Sequence, residues 1–218
     1  PNPEKKFSEN YQSGPLSFEF YFQGYKLICN SGYYQDHNHQ LNRISKSTAT
    51  HSTMILDNTS ICNFSKNKNG SNIINKGFKT FNKNIINENN FWSIKGSHDG
   101  YLSKYGIIHE RTLEFYPEEN KIIGKDKLIK KNNFKSSNFE IRFHLMPSTK
   151  VTKIQDNKSV LIELDNSGWR FFSNLGHIGI ETGLYFGNKN TYKENQNIYI
   201  SGITQKEDQT VDWELKKI

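Results

Sequence analysis

Apolar and polar residues alternate along most of this chain with a period of two, the pattern that predicts half-buried β-strands. In the run "LSFEFYF" the apolar face holds Leu16, Phe18, Phe20 and Phe22, and the opposite face holds Ser17, Glu19 and Tyr21. The run continues through "QGY" into "KLICNSG". Two strands joined by a short glycine-containing turn predict a β-hairpin here.

The run "FEIRFHLMP" shows the same alternation. It places Phe139, Ile141, Phe143 and Leu145 inward and Glu140, Arg142 and His144 outward. Shorter runs repeat the pattern at "GIIHERTLEFYP", "SVLIEL", "QNIYISGI" and "VDWELKKI". No segment carries an apolar stripe at helical spacing over three turns. The fold class predicted is therefore all-β, an antiparallel two-sheet β-sandwich.

Residues 63–90 interrupt this pattern, because Asn, Lys and Ser dominate them. We interpret the stretch as a long polar loop with one short strand near "GFKTF". Strand patterns resume at once with "FWSIKGSHDGY". A linker between two globular units is not indicated, and residues 1–218 are predicted to form a single domain.

The composition and charge of the chain indicate which classes of molecule it could bind. Only 33% of the residues are hydrophobic but 13% are aromatic, so Phe, Tyr and Trp are expected to supply much of the core. The net charge of +7 comes mainly from lysines scattered among asparagines, whereas arginine is scarce. Nucleic-acid binding is disfavoured, since it is typically marked by clustered arginine near exposed aromatics. A diffuse positive field suits an acidic polysaccharide better.

The two cysteines and the opening residues give little information about function. Cys29 and Cys62 fit no metal-binding spacing, and two buried free thiols are favoured over a disulfide. No apolar run approaches the length of a membrane span, and the polar opening "PNPEKKFSEN" is not a signal peptide. The opening without methionine is typical of a piece of a longer protein.

Histidines are the candidate chemical groups. In "GSHDGY", His98 and Asp99 lie between glycines with Tyr101 next, which is compatible equally with a ligand-binding loop and with a tight turn capped by Asp99. On the following strand, alternation puts His109 and Arg111 on one face. Solvated roles are favoured for His37, His39 and His144. No nucleophile, zinc-protease or phosphate-loop motif is present.

The order of motifs nevertheless resembles a known family. Five stretches carry the likeness: "GPLSFEFYFQGYKLICNSGYY", "TATHSTMILDN", "GSHDGYLSKYGIIHERTLEFYPEENKIIGKDKL", "FEIRFHLMPSTKV" and "NSGWRFF". Together they resemble the C-terminal part of heparinase II/III-like proteins. The resemblance implies a supersandwich-like β-domain, with the N-terminal α/α toroid of the family absent from this chain.

The same resemblance implies an activity. Members are polysaccharide lyases, typically exported from bacteria to the periplasm or secreted, that cleave uronic-acid polysaccharides by β-elimination. The toroid supplies their principal catalytic residues, so the chain alone is expected to be inactive. By this likeness His98, Tyr101, His109 and Arg111 are the predicted substrate contacts of this half, and Arg111 suits a uronate carboxylate. The expected partners are an acidic polysaccharide and the chain's own toroid.

A metal site is implied at His51, which the resemblance places where a zinc ligand stands. The other positions differ from the family pattern: Asn10 and Gln12 stand where two histidines would fall, and Asn30 replaces an aspartate. Because zinc prefers imidazole, thiolate or carboxylate ligands, no cofactor is expected, and Gln12, Asn30 and His51 are predicted to form a hydrogen-bonded remnant. The alternative is a divalent zinc ion retained at His51. The alternative function is a non-catalytic carbohydrate-binding or structural β-sandwich.

Overall fold

The computed structural model describes residues 4–154, 158–164, 167–187 and 189–218. Its first eight strands are β1 (Phe20–Phe22), β2 (Tyr25–Cys29), β3 (Met54–Leu56), β4 (Asn63–Lys66), β5 (Asn72–Lys76), β6 (Thr80–Glu88), β7 (Phe91–His98) and β8 (Ile107–Tyr116). The other eight are β9 (Lys121–Lys130), β10 (Asn138–Leu145), β11 (Lys150–Lys153), β12 (Ser159–Leu164), β13 (Ser167–Ser173), β14 (Ile178–Tyr185), β15 (Lys193–Ile203) and β16 (Gln209–Lys217).

Helices are short throughout the described residues. They are α1 (Gln40–Ser45), α2 (Leu102–Tyr105) and two 3-10 turns at Lys5–Phe7 and Thr48–Thr50. None is long and apolar enough to cross a membrane. The absence of an extended helical stripe from the sequence predicted this, because a helix needs several turns of one apolar face to pack stably.

Two antiparallel sheets form the body of the domain. Within the described ranges the first has the order β1-β2-β10-β15-β14, with β3 also paired to β10, and the second has the order β11-β12-β13-β16-β9-β8-β7-β6. Strands β4 and β5 form a separate hairpin. The all-β sandwich and the hairpin of β1 with β2 are thus confirmed.

One hydrophobic core joins the two sheets. The inward residues predicted for β10, namely Phe139, Ile141, Phe143 and Leu145, are all fully buried. Aromatic rings fill the centre: Phe143 meets Phe171 at 4.7 Å and Trp213 at 4.8 Å between centroids, both edge to face. Such tilted pairs exploit the ring quadrupoles as well as burying area. The aromatic-rich composition therefore compensates for the low hydrophobic fraction.

The sheet also requires a close approach at Gly124 on β9. A Cβ atom there would lie 2.0 Å from the Trp213 ring on the neighbouring β16. The two residues are direct partners in the ladder. Only glycine leaves the space in which the indole lies flat against the strand.

The interpretation of residues 63–90 as a long loop is wrong for most of that stretch. Strands β4, β5 and β6 all lie within it. Strand β6 is the edge of the second sheet and is exposed along nearly all its length, and the separate β4–β5 hairpin has only two buried residues. Strands with so little buried surface need no apolar alternation, so their sequences do not differ from those of polar loops.

Both cysteines are free and buried, as predicted. Burial raises the pKa of Cys29 to about 12, and burial likewise raises the pKa of Cys62. Neutral thiols of this kind behave as small hydrophobic residues and not as nucleophiles.

Replacing Phe143 with alanine should lower the free energy of unfolding by about 3–5 kcal/mol, because it removes a ring from the centre of the aromatic cluster and leaves a cavity. The matched control is Phe7→Ala, since Phe7 is 70% exposed and its removal should cost no more than about 0.5 kcal/mol. Urea unfolding followed by tryptophan fluorescence measures both. Equal losses in the two variants would contradict the assignment of the core.

Candidate functional site

His51 lies at the end of a loop that is folded against the sandwich. The 3-10 turn Thr48–Thr50 immediately precedes it, and its ring is buried. His51 Nδ1 lies 2.8 Å from the carbonyl oxygen of Ser47. The ring packs so closely on Gly14 that a Cβ there would approach Cδ2 to 2.3 Å. The backbone therefore fixes both the position and the rotation of this imidazole.

The Ser47 contact also fixes the tautomer of His51. A carbonyl oxygen only accepts, so Nδ1 carries the hydrogen and Nε2 presents a lone pair. The side-chain amide of Gln12 faces this lone pair, with its Oε1 at 3.0 Å from Nε2. A half-turn of the amide, which has no other partner within the described residues, presents its N–H₂ group as the donor. The Gln12–His51 pair predicted from sequence is therefore present as a neutral hydrogen bond.

Asn30 lies beside this pair but does not bond to the imidazole. Its Oδ1 accepts the backbone N–H of Ser52 at 2.9 Å, so it holds the residue after His51. Its own backbone N–H donates to Glu19 at 3.2 Å. Glu19 in turn pairs with Lys26 at 2.8 Å. The predicted trio is thus a pair, Gln12 with His51, supported from behind by Asn30.

His144 was predicted to be a solvated residue on the outer face of β10, and this is wrong. It is 3% exposed, because the loop before β3 covers that end of the strand. His144 Nε2 donates to the carbonyl of Ala49 at 3.0 Å, and Nδ1 accepts from the hydroxyl of Ser31 at 3.1 Å. Sequence reasoning missed this positioning contact, through which His144 supports both chain segments that carry Asn30 and His51.

A second buried network lies inside the second sheet and centres on Asp126. Its carboxylate accepts hydrogen bonds from His109 Nε2 at 2.6 Å, Arg111 Nε at 2.7 Å and Trp213 Nε1 at 2.8 Å. A further bond comes from Arg111 Nη2 at 3.1 Å. Asp126 and Arg111 are direct partners in the β8–β9 ladder. Sequence reasoning missed Asp126, whose one signal was an acidic residue in the inward phase of an apolar strand.

Arg111 connects this network to the His51 loop. Its Nη1 donates to the carbonyl of Ser52 at 2.7 Å and to that of Leu16 at 3.0 Å. Each of these carbonyls belongs to an irregular segment that contributes a residue to the site. The guanidinium therefore uses one edge to neutralise Asp126 and the other to position backbone.

His98 extends the Asp126 network through His109. The backbone N–H of Gly100 donates to His98 Nδ1, and His98 Nε2 lies 3.1 Å from His109 Nδ1. Both imidazoles are therefore neutral and carry their hydrogen on Nε2. Asp99 accepts the backbone N–H of Lys79 at 2.7 Å, so the "GSHDGY" stretch is a capped turn between strands.

The four side chains predicted to contact substrate, His98, Tyr101, His109 and Arg111, are all buried. Tyr101 donates its hydroxyl to the carbonyl of Met54 at 2.9 Å. Three of them, His98, His109 and Arg111, lie together around Asp126. This group is separate from the Gln12–His51 pair, but Arg111 connects the two through its bond to the carbonyl of Ser52. Their predicted contact with substrate would require them to leave these internal partners.

Burial keeps the histidines of both networks uncharged. It lowers the pKa of His51 to about 4 and that of His144 to about 3, the latter also through the neighbouring His51. Burial likewise lowers the pKa of His98 and His109. For Asp126 burial alone raises the pKa, but the Arg111 and His109 contacts outweigh it and hold the carboxyl ionised.

Tyr33 and Asn10 form the exposed rim next to Gln12. The Tyr33 hydroxyl lies 3.4 Å from Asn10 Oδ1 and accepts from Asn42 Nδ2 at 3.0 Å. His37 lies nearby, with its Nε2 at 3.4 Å from Glu9 Oε1, while His39 caps helix α1 by accepting the N–H of Leu41. Sequence reasoning passed over Tyr33, which belongs to no chemical motif.

The model of the heparinase II/III-like C-terminal family matches residues 1–214. The chain belongs to this family. Among solved structures, the heparan sulfate lyase HepC from Pedobacter heparinus superposes with a TM-score of 0.75 at 15% identity, over 94% of this chain and 30% of that one. A heparinase III, the BT4657 gene product, gives a TM-score of 0.72 at 15% identity over the same shares. A comparison with curated proteins found no match.

These likenesses confirm the family and the C-terminal β-sandwich predicted from sequence. The chain spans about 30% of the length of the lyases that it matches. At 15% identity the superpositions establish the fold of this family domain.

The residues around His51 do not fit the zinc ion that the family resemblance implies. The donor set is one imidazole and two neutral amides, of which Asn30 Oδ1 is already bonded to Ser52. In the described part of this family member no group of three His, Cys, Asp or Glu side chains is close enough to hold a metal. Neutral amides do not offset the desolvation of a divalent transition metal.

We expect the chain to retain less than about 0.1 zinc ion per molecule after dialysis, measured by elemental analysis. The double variant Gln12→His, Asn30→Asp restores an imidazole and a carboxylate beside His51 and should bind zinc, and adding His51→Ala should abolish that gain. Stoichiometric zinc in the unaltered chain would contradict the amide remnant.

The neutral histidines predict that stability falls as pH falls. Unfolded histidine takes up a proton near pH 6.5, whereas His51 and His144 do so only near 4 and 3 when folded. The unfolded state therefore binds more protons between these values, and each group should cost about 1.4 kcal/mol per pH unit below 6.5. Urea titrations at pH 7, 6 and 5 measure the slope.

In the same titrations His144→Gln should reduce the slope, because it removes one of the buried groups. The matched control His177→Gln should leave it unchanged, since His177 is exposed. A free energy of unfolding that stays constant from pH 7 to 5 would show that these imidazoles are not held neutral.

Proposed function

We propose that this chain is the C-terminal domain of a bacterial polysaccharide lyase that cleaves uronic-acid-containing polysaccharide by β-elimination. The observation that carries the proposal is the family match over residues 1–214 together with the fold shared with heparan sulfate lyase HepC. The protein would act in the periplasm or outside the cell, where it would encounter such polysaccharides.

The chemistry requires groups that this chain does not hold by itself. In β-elimination a base removes the proton next to the uronate carboxylate, the glycosidic oxygen leaves, and the charge that develops on the carboxylate must be neutralised. The proposed arrangement places the base on an N-terminal α/α toroid. The rim of Asn10, Gln12 and Tyr33, fixed from behind by His51, would form the wall that this domain contributes to the cleft.

The Asp126 network would position that wall. Arg111 holds the backbone of Ser52 and Leu16 at 2.7 and 3.0 Å, and both segments lead into the rim. We propose this positioning role for His98, Tyr101, His109 and Arg111, because their polar atoms already have internal partners. The positive charge that attracts an anionic chain would come from the scattered exposed lysines.

An apolar groove supports the proposed partner domain. It has a volume of about 600 Å³ and runs between Phe18 and Phe20 on one side and Ile85, Trp92 and Ile94 on the other. Ile85 is 73% exposed and Trp92 is 52% exposed. Phe7 and Tyr21 are exposed as well. Apolar surface of this kind is commonly covered by a second domain.

The second candidate is a non-catalytic carbohydrate-binding or structural sandwich. It is favoured by the three amides, Asn10, Gln12 and Asn30, at positions where the resemblance implies two histidines and an aspartate. A neutral rim can hydrogen-bond sugar hydroxyls, but amides neither donate nor remove protons in a reaction.

The full-length protein should raise the ultraviolet absorbance of heparan, alginate or a related uronate solution, because elimination leaves an unsaturated sugar. The isolated chain of 218 residues should give no product. His177→Gln, which alters an exposed residue distant in sequence from the rim, serves as the matched control and should be fully active. Binding of these glycans by the full-length protein without any unsaturated product would establish the non-catalytic alternative instead.

A further inference from the structure

Six exposed lysines lie around the short helix α2, at the end of the second sheet where β9 stops and β16 begins. We call this group the α2 lysine surface. Its members come from the end of β5, from α2 and from the segments that follow β9 and β15: Lys76, Lys104, Lys130, Lys131, Lys135 and Lys206. These lysines are far apart in the sequence, and the fold brings them to one end of the sandwich.

The loop after β9 is fixed to α2 through backbone contacts. The backbone N–H of Lys131 donates to the carbonyl of Gly106 at 2.8 Å, and that of Lys135 donates to the carbonyl of Tyr105 at 3.0 Å. Gly106 has a φ of +67°, and a Cβ atom there would lie 2.7 Å from the carbonyl carbon of Asn133. Only glycine combines this conformation with so close an approach. The backbone positions that carry the lysines of α2 and of the loop are therefore fixed relative to one another.

The protein does not neutralise these cations itself. Lys76 Nζ donates to the Ser103 hydroxyl, and Lys104 Nζ likewise donates to a hydroxyl, each at 2.8 Å. Within the described ranges no carboxylate lies at ion-pair distance from any of the six lysines. Asp208, at the border of the surface, pairs instead with Lys127 at 3.4 Å. The ammonium groups around α2 are therefore available to an external anion.

Lysines on the outer face of the second sheet are arranged differently. Lys95 pairs with Glu110 at 2.9 Å, and Lys125 pairs with Glu114 at 2.9 Å. The net charge of +7 is therefore not spread evenly over the described surface. Positive charge without an internal partner collects around α2, where the exposed Glu207 is a border residue.

Two shallow depressions shape the α2 lysine surface. One has a volume of about 540 Å³ and lies between Leu102 and Lys131, and the other has a volume of about 670 Å³ and lies between Lys131 and Lys206. Asn132 and Asn133 line both depressions. Their side-chain amides can donate to and accept from hydroxyl groups. Each depression thus combines ammonium groups with neutral hydrogen-bonding groups.

This combination fits a sugar polymer better than a nucleic acid. Proteins that bind single-stranded nucleic acid stack its bases on open aromatic rings. Phe134 is the one aromatic residue that lines the two depressions, and the Nζ of Lys130 lies over its ring, 6.0 Å from the centre. The lining also holds no arginine, the residue preferred for phosphate recognition. An anionic polysaccharide carries both the charged groups and the hydroxyls that this surface can bind.

Strand β5 connects the α2 lysine surface with the rim. Asn72, at the start of β5, donates to Asn42, which in turn bonds to the Tyr33 hydroxyl of the rim. Lys76, at the end of the same strand, bonds to Ser103 of α2. The four residue steps between Asn72 and Lys76 span about 13 Å. A polymer that occupies the cleft therefore needs only a few further sugars to reach the lysines.

We propose that the α2 lysine surface is a second binding site for anionic polysaccharide, which holds the polymer beside the cleft while one of its uronates is cleaved. The identity of the polymer rests on the proposed function, whereas the charge of the surface does not. The lysines would pair with carboxylate or sulfate groups, and Asn132 and Asn133 would bond to hydroxyls. Because these lysines have no internal anion, binding breaks no existing ion pair.

The test is the triple variant Lys104→Gln, Lys131→Gln, Lys135→Gln of the full-length protein, titrated with dextran sulfate at several salt concentrations. Dextran sulfate is an anionic polysaccharide without uronate, so elimination cannot cleave it during the measurement. Each contact with a linear polyanion releases somewhat less than one counterion, so the slope of log Kd against log salt should fall by about 2. At physiological salt the Kd should rise by about 10-fold.

The matched control removes three lysines that are paired on the outer face of the second sheet, as Lys95→Gln, Lys125→Gln, Lys216→Gln. It changes the net charge by the same amount, but it should leave the Kd and its salt slope nearly unaltered. Urea unfolding of both triple variants verifies that they fold alike.

Substrate length gives a second measurement. On a long uronate polymer the α2 triple variant should raise KM and leave kcat unchanged. On the shortest oligosaccharide that the full-length protein cleaves, neither constant should change, because such a chain does not extend from the cleft to α2. A loss of kcat on both substrates would contradict a role in holding the polymer.

Equal losses of dextran sulfate binding in the two triple variants would show that net charge alone governs binding, and this would overturn the site. Tighter binding of single-stranded DNA than of dextran sulfate at the same salt concentration would overturn the class of partner. If dextran sulfate binds as expected but the full-length protein gives no unsaturated product from any uronate, the proposed function fails. The α2 lysine surface would then remain the polysaccharide site of a non-catalytic sandwich.

Discussion

The ion pair of Asp126 and Arg111 is the constraint on which the rest of the domain depends. A carboxylate that is completely buried is stable as an anion only if its charge is neutralised and its lone pairs are bonded. Asp126 meets both conditions through Arg111, His109 and Trp213, at 2.6–3.1 Å. Because these donors come from β8 and β16, on either side of β9, the pair also fixes the lateral packing of the second sheet.

The same pair also supplies hydrogen bonds to the irregular backbone segments of the candidate site. The segments that carry Gln12 and His51 are irregular, and irregular backbone must find its hydrogen bonds outside a ladder. Arg111 supplies two such bonds, and His144 and Asn30 supply others from the first sheet. Each sheet therefore contributes at least one polar side chain to the hydrogen bonds that position these irregular segments.

The period of two in the sequence was sufficient to predict β10 and its inward residues, since burial of one face of each sheet in a sandwich selects apolar side chains at every second position. The same period was misleading for His144, because it records which face a residue occupies and not whether a distant loop covers that face. The loop prediction for residues 63–90 failed because strands with little buried surface carry no periodic apolar pattern. Tyr33 could not be predicted from any pattern, because its environment is built by Asn42, Lys46 and Asn10, which are brought together only by the fold.

The replacement of ligands by amides around His51 separates two properties that a metal ion supplies together. A bound cation fixes the orientation of an imidazole and also brings positive charge. The N–H₂ group of Gln12 can fix the same lone pair of His51, but it brings no net charge. Positive charge near this rim comes from Lys46, whose Nζ lies 5.7 Å from the centre of the Tyr33 ring and donates to the carbonyl of Asn72 at 2.8 Å.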